Sequence, residues 1–278
     1  MKISFRNQYL HYQLIGNGPR WVIALHGYGE SGISFHSLAA EMSREYTFIC
    51  PDLPLHGKSV WQAASPFAPT DLEEIIRLLM LEHGFNSLVL AGYSMGGRLV
   101  SCLAANNRLP VEEVWLFAPD GFHRNPWYWI ATQTGWGNRL FRFTMQQPQW
   151  FLKSMKIARS LKLLHPGIYK FSIQFLMQEK ARKDLYERWT FYKNFKVNKA
   201  ELRDQLITNQ IPLRQFFGKF DRIIPASHGR WIEENDAVIS TTILLNAGHR
   251  LLDPAITPNI AAAIRLPIQN PAAYTSNR

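Results

Sequence analysis

Cysteine is nearly absent, with Cys50 and Cys102 the only two in 278 residues. Two cysteines cannot build the disulfide framework of a small secreted scaffold. Each lies in an apolar segment, so both are expected to be buried and reduced. Long apolar runs are missing as well. No stretch approaches the roughly 18 consecutive apolar residues of a membrane-spanning helix. The opening Met1-Lys2-Ile3-Ser4-Phe5 is not followed by the apolar stretch of a secretory signal. These absences lead to the expectation of a cytoplasmic protein. Low-complexity tracts and internal repeats are also lacking. Hydrophobic residues make up 46% and charged residues 19% of the chain, which fits a packed globular protein rather than a disordered one. The length suffices for one large core and a modest insertion.

Acidic residues are scarce in one region. Residues 122–199 hold 15 of the 31 Lys+Arg but 3 of the 21 Asp+Glu, a local balance of +12 against −2 for the rest of the chain. Such a segment can recruit an anion: a carboxylated or phosphorylated substrate, an acyl carrier or an anionic membrane surface. It can equally be a solvated basic face. Nucleic acid is a poorer match, because the charge is interleaved with bulky apolar residues.

Strand-like and helix-like segments alternate along the first part. Residues 9–15, 21–25, Tyr46–Cys50, Ser87–Ala91 and Glu113–Ala118 read as strands. Residues 34–43, 70–83 and Met95–Asn106 read as helices, with Thr70 and Glu73 forming a capping box. The strands are near-continuous apolar runs, so a mostly parallel sheet covered on both faces is expected. After Pro119-Asp120-Gly121 the texture changes. Aromatics crowd among basic residues, and helical spacing is plausible over 138–163 and 168–193 with a break at His165-Pro166-Gly167. The rhythm then returns, with strands at 211–217 and 240–245 and helices at 226–234 and 254–265. The expected organisation is a core of 1–121 and 200–278 interrupted by a helical insertion, 122–199.

The strongest local signal is Leu88-Val89-Leu90-Ala91-Gly92-Tyr93-Ser94-Met95-Gly96-Gly97. Gly-x-Ser-x-Gly between an apolar strand and a helix is the nucleophile elbow. Its turn lifts the serine hydroxyl above the sheet and aims the helix N-terminus at the reaction centre, where partial positive charge favours an oxyanion. His26-Gly27-Tyr28-Gly29 follows the strand 21–25. The backbone N–H groups of Tyr28 and Met95 are expected to form an oxyanion hole, while His26 reads as a structural hydrogen-bonding residue. Serine needs a base and an orienting acid. His249 follows Asn246-Ala247-Gly248 at a strand end, and Asp221 sits on the turn Phe217-Gly218-Lys219-Phe220-Asp221. Asp120, after the strand following the elbow helix, is the rival acid. His228, inside the helix after Asp221, reads as a surface residue.

These pieces, with Pro51-Asp52-Leu53-Pro54-Leu55-His56-Gly57-Lys58-Ser59, resemble the α/β-hydrolase superfamily in identity and order across residues 21–250. One position departs: relatives usually read Gly where Leu55 stands. The resemblance implies an α/β-hydrolase fold, a mostly parallel central sheet with helices on both faces, and a helical lid inserted after the strand that follows the nucleophile helix. It implies that His249 deprotonates Ser94, that Asp221 holds the imidazole, and that an acyl-enzyme forms and is hydrolysed. No cofactor or metal is needed. The expected substrate is a small acyl compound, anionic if the basic lid recruits it, cleaved at an ester or C–C bond. Tyr93 and Arg98 are candidate substrate contacts. Arg98, four residues after Ser94, also resembles the branch containing the menaquinone-pathway enzyme that eliminates pyruvate, where the serine acts as a base. A lyase is therefore one alternative, and a relative that binds anions or lipid without chemistry is another.

Overall fold

The computed structural model describes residues 1–62, 66–123, 125–161, 169, 173, 176–233 and 240–268. Eight strands form one sheet in the order β1-β2-β4-β3-β5-β6-β7-β8. They are β1 Lys2–Phe5, β2 Gln8–Ile15, β3 Arg20–Leu25, β4 Tyr46–Pro51, β5 Leu88–Tyr93, β6 Val111–Phe117, β7 Leu213–Gly218 and β8 Ser240–Leu245. β1, β2 and β4 pair antiparallel, and the rest of the sheet is parallel. Every residue of β4, β5 and β7 is buried, as apolar strands with both faces covered must be. The edge strand β1 was not anticipated. Its four residues, including Lys2 and Ser4, lack an apolar run, and it exists through its pairing with β2.

Helices cover both faces. α1 (His36–Glu41), preceded by a 3-10 turn, packs with the closing helix Thr257–Arg265. α2 (Pro69–His83) and the elbow helix α3 (Met95–Asn106) pack together, and α3 also meets Lys199–Thr208, a helix the sequence reading did not resolve. α2 begins one turn position earlier than expected. Pro69 takes its first turn, and Asp71, not Glu73, reaches back to the Ala68 N–H at 3.0 Å; proline lacks the N–H that would be orphaned there. The expected helix 226–234 is a 3-10 turn, Ala226–Gly229, followed by Arg230–Glu233. Cys50 and Cys102 are both free and buried, and burial pushes the Cys102 thiol up to about 12. Among the described residues no helix is long and apolar enough to cross a membrane.

The chain divides into two compact units. The sheet unit comprises Met1–Gln62, Ala68–His123 and Phe195–Arg278; the helical unit comprises Ala63–Phe67 and Arg124–Asn194. The helical unit is thus narrower than 122–199 and includes a short piece that sequence order could not reveal. Phe67 stacks on Phe191 at 5.4 Å, and its N–H donates to the Phe191 carbonyl at 2.9 Å. Phe122 and His123 belong to the sheet unit, where they stack on Trp231 and His228. Within the helical unit the single helix expected over 138–163 is two. Gly135–Gln146 and Gln149–Ser160 are separated by Gln147-Pro148, because the residue before proline is driven out of helical conformation. Pro126–Gln133 and Glu179–Phe191 are the other described helices. The expected break at His165-Pro166-Gly167 lies outside the described residues.

Candidate active site

The sheet's carboxyl edge gathers the residues that the sequence singled out. β5 ends at Tyr93, α3 starts at Met95, and Ser94 between them has φ 51° and ψ −112°. That conformation costs a non-glycine residue about 1–3 kcal/mol. It is held from both sides: the Ser94 N–H donates to Phe117 O at 2.9 Å, and Ser94 O accepts from Asp120 N at 2.9 Å. Small neighbours are required, since a Cβ on Gly96 would collide with the Leu25 carbonyl and one on Gly92 with the Gly96 backbone.

His249 lies 3.2 Å from Ser94 through Nε2 and 2.7 Å from Asp221 Oδ2 through Nδ1. A carboxylate can only accept, so Nδ1–H donates to Asp221, and Nε2 is left to accept from the serine hydroxyl. The Asp221 side chain is buried, and its second oxygen accepts from Ile223 N at 2.8 Å and Ile224 N at 2.9 Å. Asp120 points elsewhere. Its carboxylate meets Gly121 N at 2.7 Å and Arg98 at 3.6 Å. Of the two candidate acids, Asp221 therefore touches the histidine. The loops carrying Asp221 and His249 are joined by backbone: Lys219 N donates to Leu245 O at 2.8 Å and Phe220 N to Ala247 O at 2.9 Å.

Tyr93 does more than fill space. Its hydroxyl donates to the His249 carbonyl at 3.0 Å. Burial first, then the Glu30 and Asp221 carboxylates, push the phenol well above its ordinary value, so it remains a donor. Arg98 is buried on the elbow helix, facing Asp120. Met95 is the first residue of α3, whose opening N–H groups lack intrahelical acceptors. Tyr28 follows β3, with its ring edge-on to His56.

His26 uses both ring nitrogens structurally, Nε2 accepting from Leu53 N at 3.0 Å and Nδ1 donating to Gly27 O at 2.7 Å. His228 is not a plain surface residue. It is half-buried and stacks on His123 at 4.3 Å, because the 3-10 turn replaces the expected helix. Asp52 was named in the sequence only as part of the Pro51–Ser59 motif, with no role of its own. It anchors the loop after β4 by accepting from Gly32 N at 2.8 Å, Lys58 N at 2.8 Å and His11 Nδ1 at 3.0 Å. Its place after an apolar strand and before Gly57 was the available signal. Leu55, where relatives usually have Gly, is left-handed with φ 63°. Among the described residues no group of three His, Cys, Asp or Glu side chains could hold a metal ion.

A family model described as alpha/beta hydrolase fold matches residues 20–264. The chain belongs to that family. Two relatives of the chain are pimeloyl-[acyl-carrier protein] methyl ester esterases. The one from Aeromonas salmonicida is 25% identical over 251 residues, covering 84% of this chain and 89% of its own. The one from Vibrio cholerae is 24% identical over 222 residues, covering 80% and 83%. A solved structure, a thermophilic esterase from Thermogutta terrifontis, superposes with a TM-score of 0.65 at 20% identity, covering 95% of this chain and 96% of that one. That likeness speaks to the fold.

Proposed function

We propose that this chain is an esterase-like serine hydrolase that cleaves a carboxylic ester of a small acyl compound through an acyl-enzyme. The observation that carries the reading is the relay Ser94 Oγ, His249 Nε2, His249 Nδ1, Asp221 Oδ2, at 3.2 and 2.7 Å. The esterase names of the relatives agree with it. In this reading Ser94 Oγ attacks the ester carbonyl carbon while its proton passes to His249 Nε2. Asp221 stabilises the imidazolium. The negative carbonyl oxygen is met by the backbone N–H groups of Met95 and Tyr28. The tetrahedral species collapses, and the alcohol leaves with the proton from His249. Water then attacks the acyl group, giving a proton of its own to His249, which passes it to Ser94 Oγ as the acid product leaves. Tyr93 fixes the backbone of His249.

The lyase alternative drew on Arg98. That side chain is buried beside Asp120, and the relatives' names offer that reading no support. The basic segment 122–199 is assigned the role of lid by its place in the chain after β6, and its charge the recruitment of an anionic partner. A fluorophosphonate probe tests the nucleophile: wild type labels, and Ser94→Ala neither labels nor retains more than about 10⁻⁴ of ester turnover. Equal labelling of Ser94→Ala would sink the assignment.

A further inference from the structure

Half of the exposed large apolar side chains among the described residues, nine of eighteen, lie in the helical unit. That unit also holds 13 Lys+Arg against 3 Asp+Glu. Two of its helices share one spacing. In Gly135–Gln146, Trp136 is followed by Arg139, Leu140, Arg142 and Phe143. In Gln149–Ser160, Trp150 is followed by Lys153, Ser154, Lys156 and Ile157. The offsets from each tryptophan are the same: a basic residue at the third and sixth positions and a large apolar one at the seventh. At about 100° per residue the tryptophan and the seventh position fall within about 20° of each other on the wheel, and the two basic residues lie along one flank. The buried Thr144 and Met155 lie on the other flank.

The apolar stripe on each helix faces water. Trp136 is 64% exposed, Phe143 52%, Ile157 60% and Leu161, just past the second helix, 63%. Lys153, Lys156 and Arg139 are exposed beside them. We propose that these two helices form a peripheral docking surface for an anionic lipid bilayer. Trp136, Phe143, Trp150 and Ile157 enter the headgroup region, and Arg139, Lys153 and Lys156 meet the lipid anions. Indoles sit well at the boundary between headgroup and acyl chain, and amphipathic helices bind there by apolar burial plus attraction to anionic lipid. Two of the three cations beside the aromatic row are lysines, which protein–protein interfaces disfavour and anionic lipid surfaces attract, so a bilayer answers the pair of features better than an acidic soluble protein. The contact rests on the assignment of the basic segment to an anionic partner, not on the hydrolytic reading.

Flotation of the full chain with phosphatidylcholine vesicles, with and without phosphatidylserine, tests it. Wild type floats only with phosphatidylserine, and partitioning falls as salt shortens the screening length. Lys153→Ala and Lys156→Ala each lower partitioning about fivefold. Trp136→Ala with Trp150→Ala lowers the salt-resistant part, with circular dichroism confirming that the helices remain. Ser94→Ala floats like wild type, so a failed hydrolase assignment and a failed docking surface give different results. Wild type that stays unbound to both vesicles at low salt overturns the proposal, and that is the outcome an acidic protein partner would give. So does a combined lysine and tryptophan variant that floats unchanged.

Discussion

Asp221 has both carboxylate oxygens in use, one on the His249 ring and one on two backbone N–H groups. Replacing it with Asn keeps the shape but presents an amide that can hold the ring in the wrong tautomer. Asp221→Asn is expected to lower kcat about 10⁴-fold, with the far-ultraviolet spectrum unchanged. His228 makes a second prediction. Burial, then the neighbouring His123, depress its pKa from the ordinary 6.5, against the opposite pull of Asp120 and Asp221. The folded state therefore resists protonating His228, and the unfolded chain binds that proton first. Its contribution is fully present above 6.5 and is lost as pH falls from there through the depressed folded value. Urea denaturation at pH 7.5 and pH 5 should show a smaller acid-side loss for His228→Gln than for wild type.

At the scale of elements, the site depends on how closely two loops approach. Gly218 ends β7, and a Cβ there would collide with the Gly248 carbonyl, the residue before His249. Gly218→Ala should push the histidine loop away from Asp221. A displacement of about 1 Å can cost about 100-fold in rate, and steady-state ester kinetics would show it as a fall in kcat. This approach also marks the limit of what the sequence made legible. The elbow helix Met95–Asn106 and the strand Ser240–Leu245 were readable to the residue, because their apolar spacing and flanking turns are local. Asp221 was preferred to Asp120 from the sequence, but with both following strands at the same sheet edge Asp120 stayed a rival. Only the pairing of β7 with β8 brings one of them to His249. The Phe67–Phe191 stack escaped because its partners are distant in sequence, and the short strand β1 because it has no apolar run and is held by pairing with the neighbouring β2. The break at Pro148 was visible in the sequence, but helical periodicity on either side obscured it.

Across the sheet unit as a whole, one ion pair joins three elements. Arg214 on β7 donates to Glu113 on β6 at 2.6 Å, and to Ala263 O and Leu266 O at the end of the closing helix at 3.0 and 2.9 Å. Both side chains are buried. Glu113→Ala would leave the guanidinium charge buried without its counter-ion, a loss of about 3–5 kcal/mol, which should appear as a lowered urea midpoint with little change in the slope. The strand order has a further consequence for the newly made chain. β8 is an outer strand of the sheet and His249 follows it directly, 155 positions after Ser94. A ribosome adding about 5–20 residues per second makes Ser94 many seconds before His249, its proposed base. On the proposed mechanism a nascent or prematurely terminated chain carries Ser94 without its base, and ester turnover begins only once the last strand has been added.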